Sequence, residues 1–567
     1  MERMDEMFTN VLEFLERTAE RVPERVAFFD EREEMDFGTL RERARRIGTA
    51  IARMGVGRRP VAVLMEGRSI WNVPVMFGAV YAGCAYAVVD VTMPGERLAG
   101  ILRGLGAGVV LVDEKGREVV EGLGAVAAGL ESGAVGSEIC AAWLESGVAG
   151  AEIRAAGLGL CAAGSEVGAP GLVEVCAGAP GGQALFGAVL SYEDAVRVEP
   201  DAAVLEEIRR RSSVYDPVSI LYTSGSTGIP KGSVQTHFSY LHWTEATIAA
   251  YGFDENVIFG NQSPFFYANS IIDVFPPVAL GAAVYLLPVG VLSFPKKFIE
   301  CLNRNHVTEL TMTPSSFVGV TDALEAGCLP KLRYGIMSGE AMPWRPLVAW
   351  MEAAPNARWW NFYGSTEAFS VAVGKVEGPP KEREPLPVGR PFPLAHLLFV
   401  DEAGREVPAG TPGEMLVSSP WISAGYYQDG TRTAAAWVND PLKKGWQERF
   451  YHTGDVGYLR EDGQLVVLGR RDAQVKHLGY RMELGEVEAA LRAIPGWKDG
   501  CVLFQKETGK LWCFFVGELE EKEMRKALKG RLAGYMVPER FVRLGEMPRT
   551  ASGKLDRAGL VERMREG

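Results

Sequence analysis

The chain has 567 residues, more than one hydrophobic core ordinarily organises, so at least two domains are expected. Its composition, 47% hydrophobic and 23% charged, is that of a globular protein, and no apolar run of about 18 residues or more offers a membrane-spanning helix. The formal net charge of −12, with 60 basic residues scattered along the chain, argues against nucleic-acid binding, which needs clustered Lys and Arg. Glu2, Asp5 and Glu6 stand where a secretory signal would be basic, and the eight cysteines contain no CxxC pair. A cytoplasmic protein with reduced thiols is therefore expected, with neither a zinc site nor a disulfide framework.

Residues 10–22 repeat apolar side chains at helical spacing and lead into the strand-like Val26-Ala-Phe-Phe. Val61-Ala-Val-Leu-Met and the run 108–113 are continuous apolar strands separated by helical segments, the pattern of a parallel sheet covered on both faces. Between about residues 115 and 190 the chain becomes rich in Gly and Ala and poor in aromatics, from which a packed sheet is hard to build. Small helices of a surface insertion and a plain loop both fit that composition, and the stretch carries no recognisable chemistry. The α/β pattern returns after residue 201 and runs to about 380; short strands with Gly turns at 397–404, 413–418 and 463–469 then predict a β-subdomain. Beyond Asp472 a helix near 484–494, strands at 500–505 and 511–516 and a helix near 521–532 predict a small α+β unit. The expected division is 1–471 and 472–567.

The most informative segment is Ile220-Leu-Tyr-Thr-Ser-Gly-Ser-Thr-Gly-Ile-Pro-Lys-Gly. Thr223, Ser224, Ser226 and Thr227 supply hydroxyl donors, Gly225 and Gly228 let backbone N–H groups approach an anion, and Lys231 brings a full charge to the outer phosphates of a triphosphate. It is not a Walker A loop, because counting from Gly225 the second glycine would fall on Pro230.

This segment resembles the signature of the adenylate-forming superfamily, which includes peptide synthetase adenylation domains, D-alanine–carrier-protein ligases, acyl- and aryl-CoA synthetases and firefly luciferase. Further motifs follow in the family's order from about residue 10 to residue 560, so the resemblance covers nearly the whole chain apart from the Gly/Ala-rich stretch. It implies a large α/β domain with a β-subdomain and a small, mobile C-terminal α+β domain, ATP and Mg²⁺ as cofactors, and acyl-adenylate formation. In Asn361-Phe-Tyr-Gly-Ser-Thr-Glu it implies that Tyr363, beside Gly364, stacks on adenine, that Thr366 contacts the α-phosphate and that Glu367 holds the metal. Asp455 of Tyr451-His-Thr-Gly-Asp would accept from the ribose hydroxyls, and Arg470 would contact ribose or phosphate. Asp472 stands at the family's interdomain hinge. Lys476 and Gly479 belong to a segment that is carried to the active site after adenylation, where a glycine lets a pantetheine arm pass. Lys554 of Pro548-Arg-Thr-Ala-Ser-Gly-Lys matches the lysine that brings substrate carboxylate and α-phosphate together, a task for a mobile cation. His237 and His452 lie within the motif regions and are read as structural, because both nucleophiles, a carboxylate and then a thiol, belong to substrates.

Amino-acid-activating relatives carry Phe-Asp-x-Ser, whose aspartate pairs with the α-ammonium group. Here Phe266-Tyr-Ala-Asn-Ser puts Ala268 at that position, and a buried ammonium without a counter-charge is costly. Asn269, Ile272, Thr311, Ile336, Ser338, Phe362, Ser370 and Val371 are the other residues that by resemblance line the pocket, mostly apolar or neutral. A small or medium uncharged acid is expected: aryl, short branched, hydroxy or keto. A one-residue slip would put Asn269 in the key place and favour an amide-recognised aryl or hydroxy acid. Asp273 is turned away from the pocket by the alignment; if it faced inward, a β-amino or other amino acid would become possible. The motif wording is closer to peptide synthetase domains than to CoA ligases, so the expected acceptor is the phosphopantetheine thiol of a carrier protein, a separate one because the chain ends ten residues after Arg557, with CoA as the alternative. A non-catalytic nucleotide-binding scaffold would not need Lys231, Glu367, Asp455 and Lys554 together.

Overall fold

The computed structural model describes residues 8–129, 185–223, 230–340, 342–378, 386–440, 448–470, 474–548 and 555–566. Two mostly parallel sheets build the bulk of the chain. The first has six strands, in the order Ala188–Ser191, Val109–Val112, Val61–Leu64, Tyr86–Val88, Pro217–Thr223 and Lys231–Thr236, and only the last pair is antiparallel. The central strand Val61–Leu64 is buried along its whole length, as expected of a sheet covered on both faces. The second sheet has nine strands, with Arg358–Ser365, Tyr334–Ser338, Glu309–Met312, Ile258–Asn261, Ala283–Leu286 and Val26–Phe29 running parallel as neighbours.

Helices Phe37–Arg53 and Asn72–Tyr81 cross at their glycines: a Cβ on Gly48 would lie 2.6 Å from the Tyr81 Cβ, and one on Gly78 2.6 Å from an Ile47 methyl. No side chain larger than hydrogen fits at either position, which sets the distance between the two helices. The Gly/Ala-rich stretch has its two ends among the described residues. It begins as the helix Glu114–Gly129 and ends as the strand Ala188–Ser191, whose apolar residues extend the first sheet despite the composition around them. Residues 130–184 lie outside the described residues.

The predicted β-subdomain is an antiparallel sheet of His396–Val400, Gly413–Ser418, Arg449–Leu459, Trp437–Asn439 and Leu465–Arg470. A hairpin, Gln474–His477 with Tyr480–Glu483, opens the C-terminal unit. A three-stranded sheet of Trp497–Gln505, Lys510–Gly517 and Arg540–Arg543 follows, packed with helices Leu484–Arg492, Glu521–Lys529 and Arg557–Glu566. Its core gathers Met482, Val487, Leu491, Val502, Met524 and Leu528. This unit meets the rest of the chain through the hairpin and through an ion pair, Arg97 to Glu486, whose side chains are 7% and 3% exposed. Asp472, expected at the hinge, lies outside the described residues. None of the described helices is long and apolar enough to cross a membrane.

Candidate active site

The C-terminal ends of the parallel strands in the nine-stranded sheet open onto one cavity, the usual place for a ligand in an open α/β sheet. Of the expected acyl-pocket residues, Ala268, Asn269, Ile272, Ser338, Phe362 and Ser370 line it. Thr311, Ile336 and Val371 are buried on the adjoining strands, outside the lining. Gly364, Thr366, Asp455 and Arg470 line the same space, together with Lys476 and Gly479 from the small domain.

Each polar group has a local reason for its position. Tyr363 and Gly364 end a strand at a β-bulge, and a Cβ on Gly364 would lie 1.8 Å from the Phe369 carbonyl oxygen, so the turn closes only with glycine. Phe369 itself takes a left-handed φ of 44°, a strained backbone for an aromatic residue. Gln235 Nε2 donates to the Thr366 carbonyl at 2.9 Å, fixing this turn to the strand that follows the phosphate loop.

Asp455, 7% exposed, receives the Tyr363 hydroxyl on one oxygen and Arg470 Nη1 on the other at 3.0 Å. Burial and the Asp455 charge hold the Tyr363 phenol protonated, far above its ordinary range. The Lys476 ammonium lies 5.8 Å from the centre of the same ring.

Lys231 and Glu367 form a buried pair at 3.5 Å, with side chains 11% and 0% exposed. Tyr426 completes it: Lys231 Nζ donates to the Tyr426 hydroxyl at 2.8 Å, and that hydroxyl donates to Glu367 Oε1 at 2.9 Å. Thr223 ends the strand leading into the phosphate loop, its buried hydroxyl without a hydrogen-bond partner among the described residues. Ser224, Gly225, Ser226, Thr227 and Gly228 lie outside the described residues, as does Lys554.

In the acyl part, Ser338 Oγ donates to Asn269 Oδ1 at 2.9 Å, and the buried Asn269 Nδ2 has no partner among the described residues. Trp243, Thr247 and Tyr251 add one face of the helix His237–Tyr251, and Trp243 Nε1 donates to Ser370 Oγ at 2.8 Å. Among the described residues lining the cavity, Asp455 is the only carboxylate. Asp273 accepts from Asn261 Nδ2 at 2.8 Å outside the lining; burial pushes its carboxyl up, and Glu309 is pushed up by burial and the Asp273 charge. His237 accepts the Val11 N–H at 3.2 Å, and burial lowers it to about 4, so it stays neutral.

Sequence reasoning missed Tyr426 and the helix face. The i, i+4, i+8 spacing of Trp243, Thr247 and Tyr251 was a usable signal for the face. Tyr426 had none, standing 195 residues from Lys231.

Two parallel sheets, a β-subdomain and a small α+β unit around one cleft define the fold of the adenylate-forming enzymes. A solved structure of the Vibrio cholerae adenylation domain AlmE superposes with a TM-score of 0.76 over 100% of both chains at 18% identity. The profile of the AMP-binding enzyme family matches residues 15–427, well over half of the chain, and that of the AMP-binding enzyme C-terminal domain matches 486–554. The chain belongs to the AMP-binding enzyme family. It is 28% identical to the D-alanine–D-alanyl carrier protein ligase of Bacillus velezensis over 97% of this chain and 99% of that one. A plipastatin synthase of Bacillus subtilis is also 28% identical over 96% of this chain, which spans only 13% of that relative's length.

Proposed function

We propose that this chain activates an uncharged carboxylic acid with ATP and passes the acyl group to a thiol. A single cavity carries this reading: it joins the acyl pocket around Ala268 and Asn269 to Gly364, Thr366, Asp455 and Arg470, with the small-domain glycine Gly479 in its wall. ATP use follows from the family. In the first step the substrate carboxylate attacks the α-phosphorus of ATP; an O–P bond forms, the bond to the bridging oxygen breaks, and pyrophosphate leaves with the electron pair. Thr223 to Gly228 and Lys231 would hold the phosphates, Thr366 the α-phosphate, Tyr363 the adenine, and Asp455 with Arg470 the ribose. Lys554 would place its charge between the two anions.

Mg²⁺ fits the donor set. Glu367 is a buried carboxylate, and this ion is commonly held by one or two carboxylates together with substrate phosphates. When bound it neutralises charge on the departing pyrophosphate.

In the second step a thiol attacks the acyl carbon. The S–C bond forms, the C–O bond to phosphate breaks, AMP leaves and the thiol proton passes to solvent. Asp472 would be the pivot between steps, with Lys476 and Gly479 serving the transfer pose. The division into 1–471 and 472–567 belongs to this proposal. A separate phosphopantetheinylated carrier is the preferred acceptor, supported by full-length similarity to a carrier protein ligase. Free CoA is the alternative: it predicts acyl-CoA without an added protein, whereas the carrier reading predicts no thioester until one is supplied. The cytoplasm, which holds ATP and keeps thiols reduced, is the proposed compartment.

Acid-dependent exchange of labelled pyrophosphate into ATP, run across a panel of carboxylic acids, tests the reading. Neutral aryl, branched, hydroxy or keto acids should support exchange, and standard α-amino acids should not. Failure of every acid would remove adenylation. Lys554→Ala should lower exchange by about a hundredfold or more, and a wild-type rate would remove its role.

A further inference from the structure

The turn of the small-domain hairpin does not simply lie against the large domain; three residues of that domain hold it. Glu340 Oε1 accepts the Gly479 N–H at 2.8 Å, and Glu340 Oε2 accepts the Ser315 N–H at 3.0 Å and the Ser315 hydroxyl. The Tyr267 hydroxyl donates to the Gly479 carbonyl, and its ring lies 5.3 Å from that of Tyr480. Thr313 covers the glycine: a Cβ there would lie 2.4 Å from the Thr313 methyl, and Gly479 takes a φ of 82°.

Tyr267, Thr313 and Glu340 follow Ile258–Asn261, Glu309–Met312 and Tyr334–Ser338, three neighbouring parallel strands of one sheet. Their C-terminal edge therefore forms a cradle for a single small-domain residue. The cradle is continuous with the acyl pocket, because Ala268 adjoins Tyr267 and Ser338, hydrogen-bonded to Asn269, stands two residues before Glu340.

We propose that Glu340 is a positioning residue for thiol transfer: it anchors on Ser315 with one oxygen and captures the Gly479 amide with the other, fixing the hairpin turn in the transfer pose. This rests on the adenylating-ligase reading. It deepens that reading by assigning the receiving side of the domain movement to Glu340, which no motif marked. Its effect is confined to the second step, since adenylation requires no contact between Glu340 and Gly479.

Glu340→Gln is the sharpest variant, because an amide offers one acceptor oxygen where two backbone N–H groups need one each. With an acid that supports exchange in the wild type, three rates are compared. Pyrophosphate exchange and hydroxamate formation with hydroxylamine report adenylation. Single-turnover transfer of the preformed adenylate to pantetheine and to CoA, or to a phosphopantetheinylated carrier where neither accepts, reports the second step. The expected result is adenylation within about twofold of wild type and transfer slowed about tenfold or more, the scale of one hydrogen bond to a charged acceptor. Glu340→Asp, which keeps the charge but is one methylene short of bridging both partners, should show the same split, and thermal unfolding should be unchanged in both.

Parallel loss of adenylation and transfer, or a fall in unfolding temperature that accounts for both, would make Glu340 a structural residue and overturn the proposal. Unchanged transfer in both variants would overturn it too. Absence of exchange with any acid in the wild type would instead remove the adenylation reading, and the cradle's proposed role with it.

Discussion

Tyr426 shows what a single hydroxyl does in this site. It accepts from Lys231 and donates to Glu367, so the two charges that would meet triphosphate and metal are set through one oxygen. Tyr426→Phe removes that oxygen and leaves the ring. Pyrophosphate exchange should fall about tenfold, since hydrogen bonds to charged groups are worth about 1.5–3 kcal/mol; an unchanged rate would show that the pair is set by other contacts. His237 makes a prediction about stability. Burial lowers it from 6.5 to about 4, so the unfolded chain takes up the proton first as pH falls. Stability therefore rises with pH between those values and is flat above them, by an amount on the order of 3 kcal/mol. His237→Gln should flatten that slope in urea unfolding at pH 4.5 and 7.0, and an unaltered slope would shift the proton linkage elsewhere. At this scale the charged residues were legible because charge next to glycine and hydroxyl is rare. Tyr426 was not, because a tyrosine after a strand looks like any half-buried aromatic, and its partners come from distant parts of the chain.

Strands and helices were the most readable level. Apolar runs at 61–65 and 108–113 and the helical repeat near the N-terminus appear as Val61–Leu64, Val109–Val112 and Leu12–Arg21. Sheet order was not readable. Val26–Phe29 precedes Val61–Leu64 in sequence yet lies beside Ala283–Leu286 in the other sheet, a pairing across more than two hundred residues that no local pattern encodes. Composition also misled at 188–191, where a Gly/Ala-rich neighbourhood conceals a short apolar strand. The turn between Arg358–Ser365 and Phe369–Val376 has little freedom: Gly364 packs on the Phe369 carbonyl, and Phe369 is already left-handed. Gly364→Ala has no low-strain way to relax, and urea unfolding should show a loss of about 2–3 kcal/mol. A smaller loss with exchange intact would mean that the turn can shift.

At the scale of the molecule, the sequence predicted two units, and the hairpin docks one on the other through a few named contacts. The pose was not legible, because no local pattern specifies how a small unit is placed on a large one. The buried pair of Arg97 and Glu486 bears on how long such a placement lasts. Two ions enclosed between domains have given up their water, and their attraction does little more than offset that loss. A greasy contact at this point would gain with every square ångström; dehydrated charge gains little, since parting returns each ion to solvent, and leaves the hairpin contacts to hold the placement. In the proposed two-step cycle the cleft presents one face and then another, and a fastening that adds little net attraction suits such an exchange.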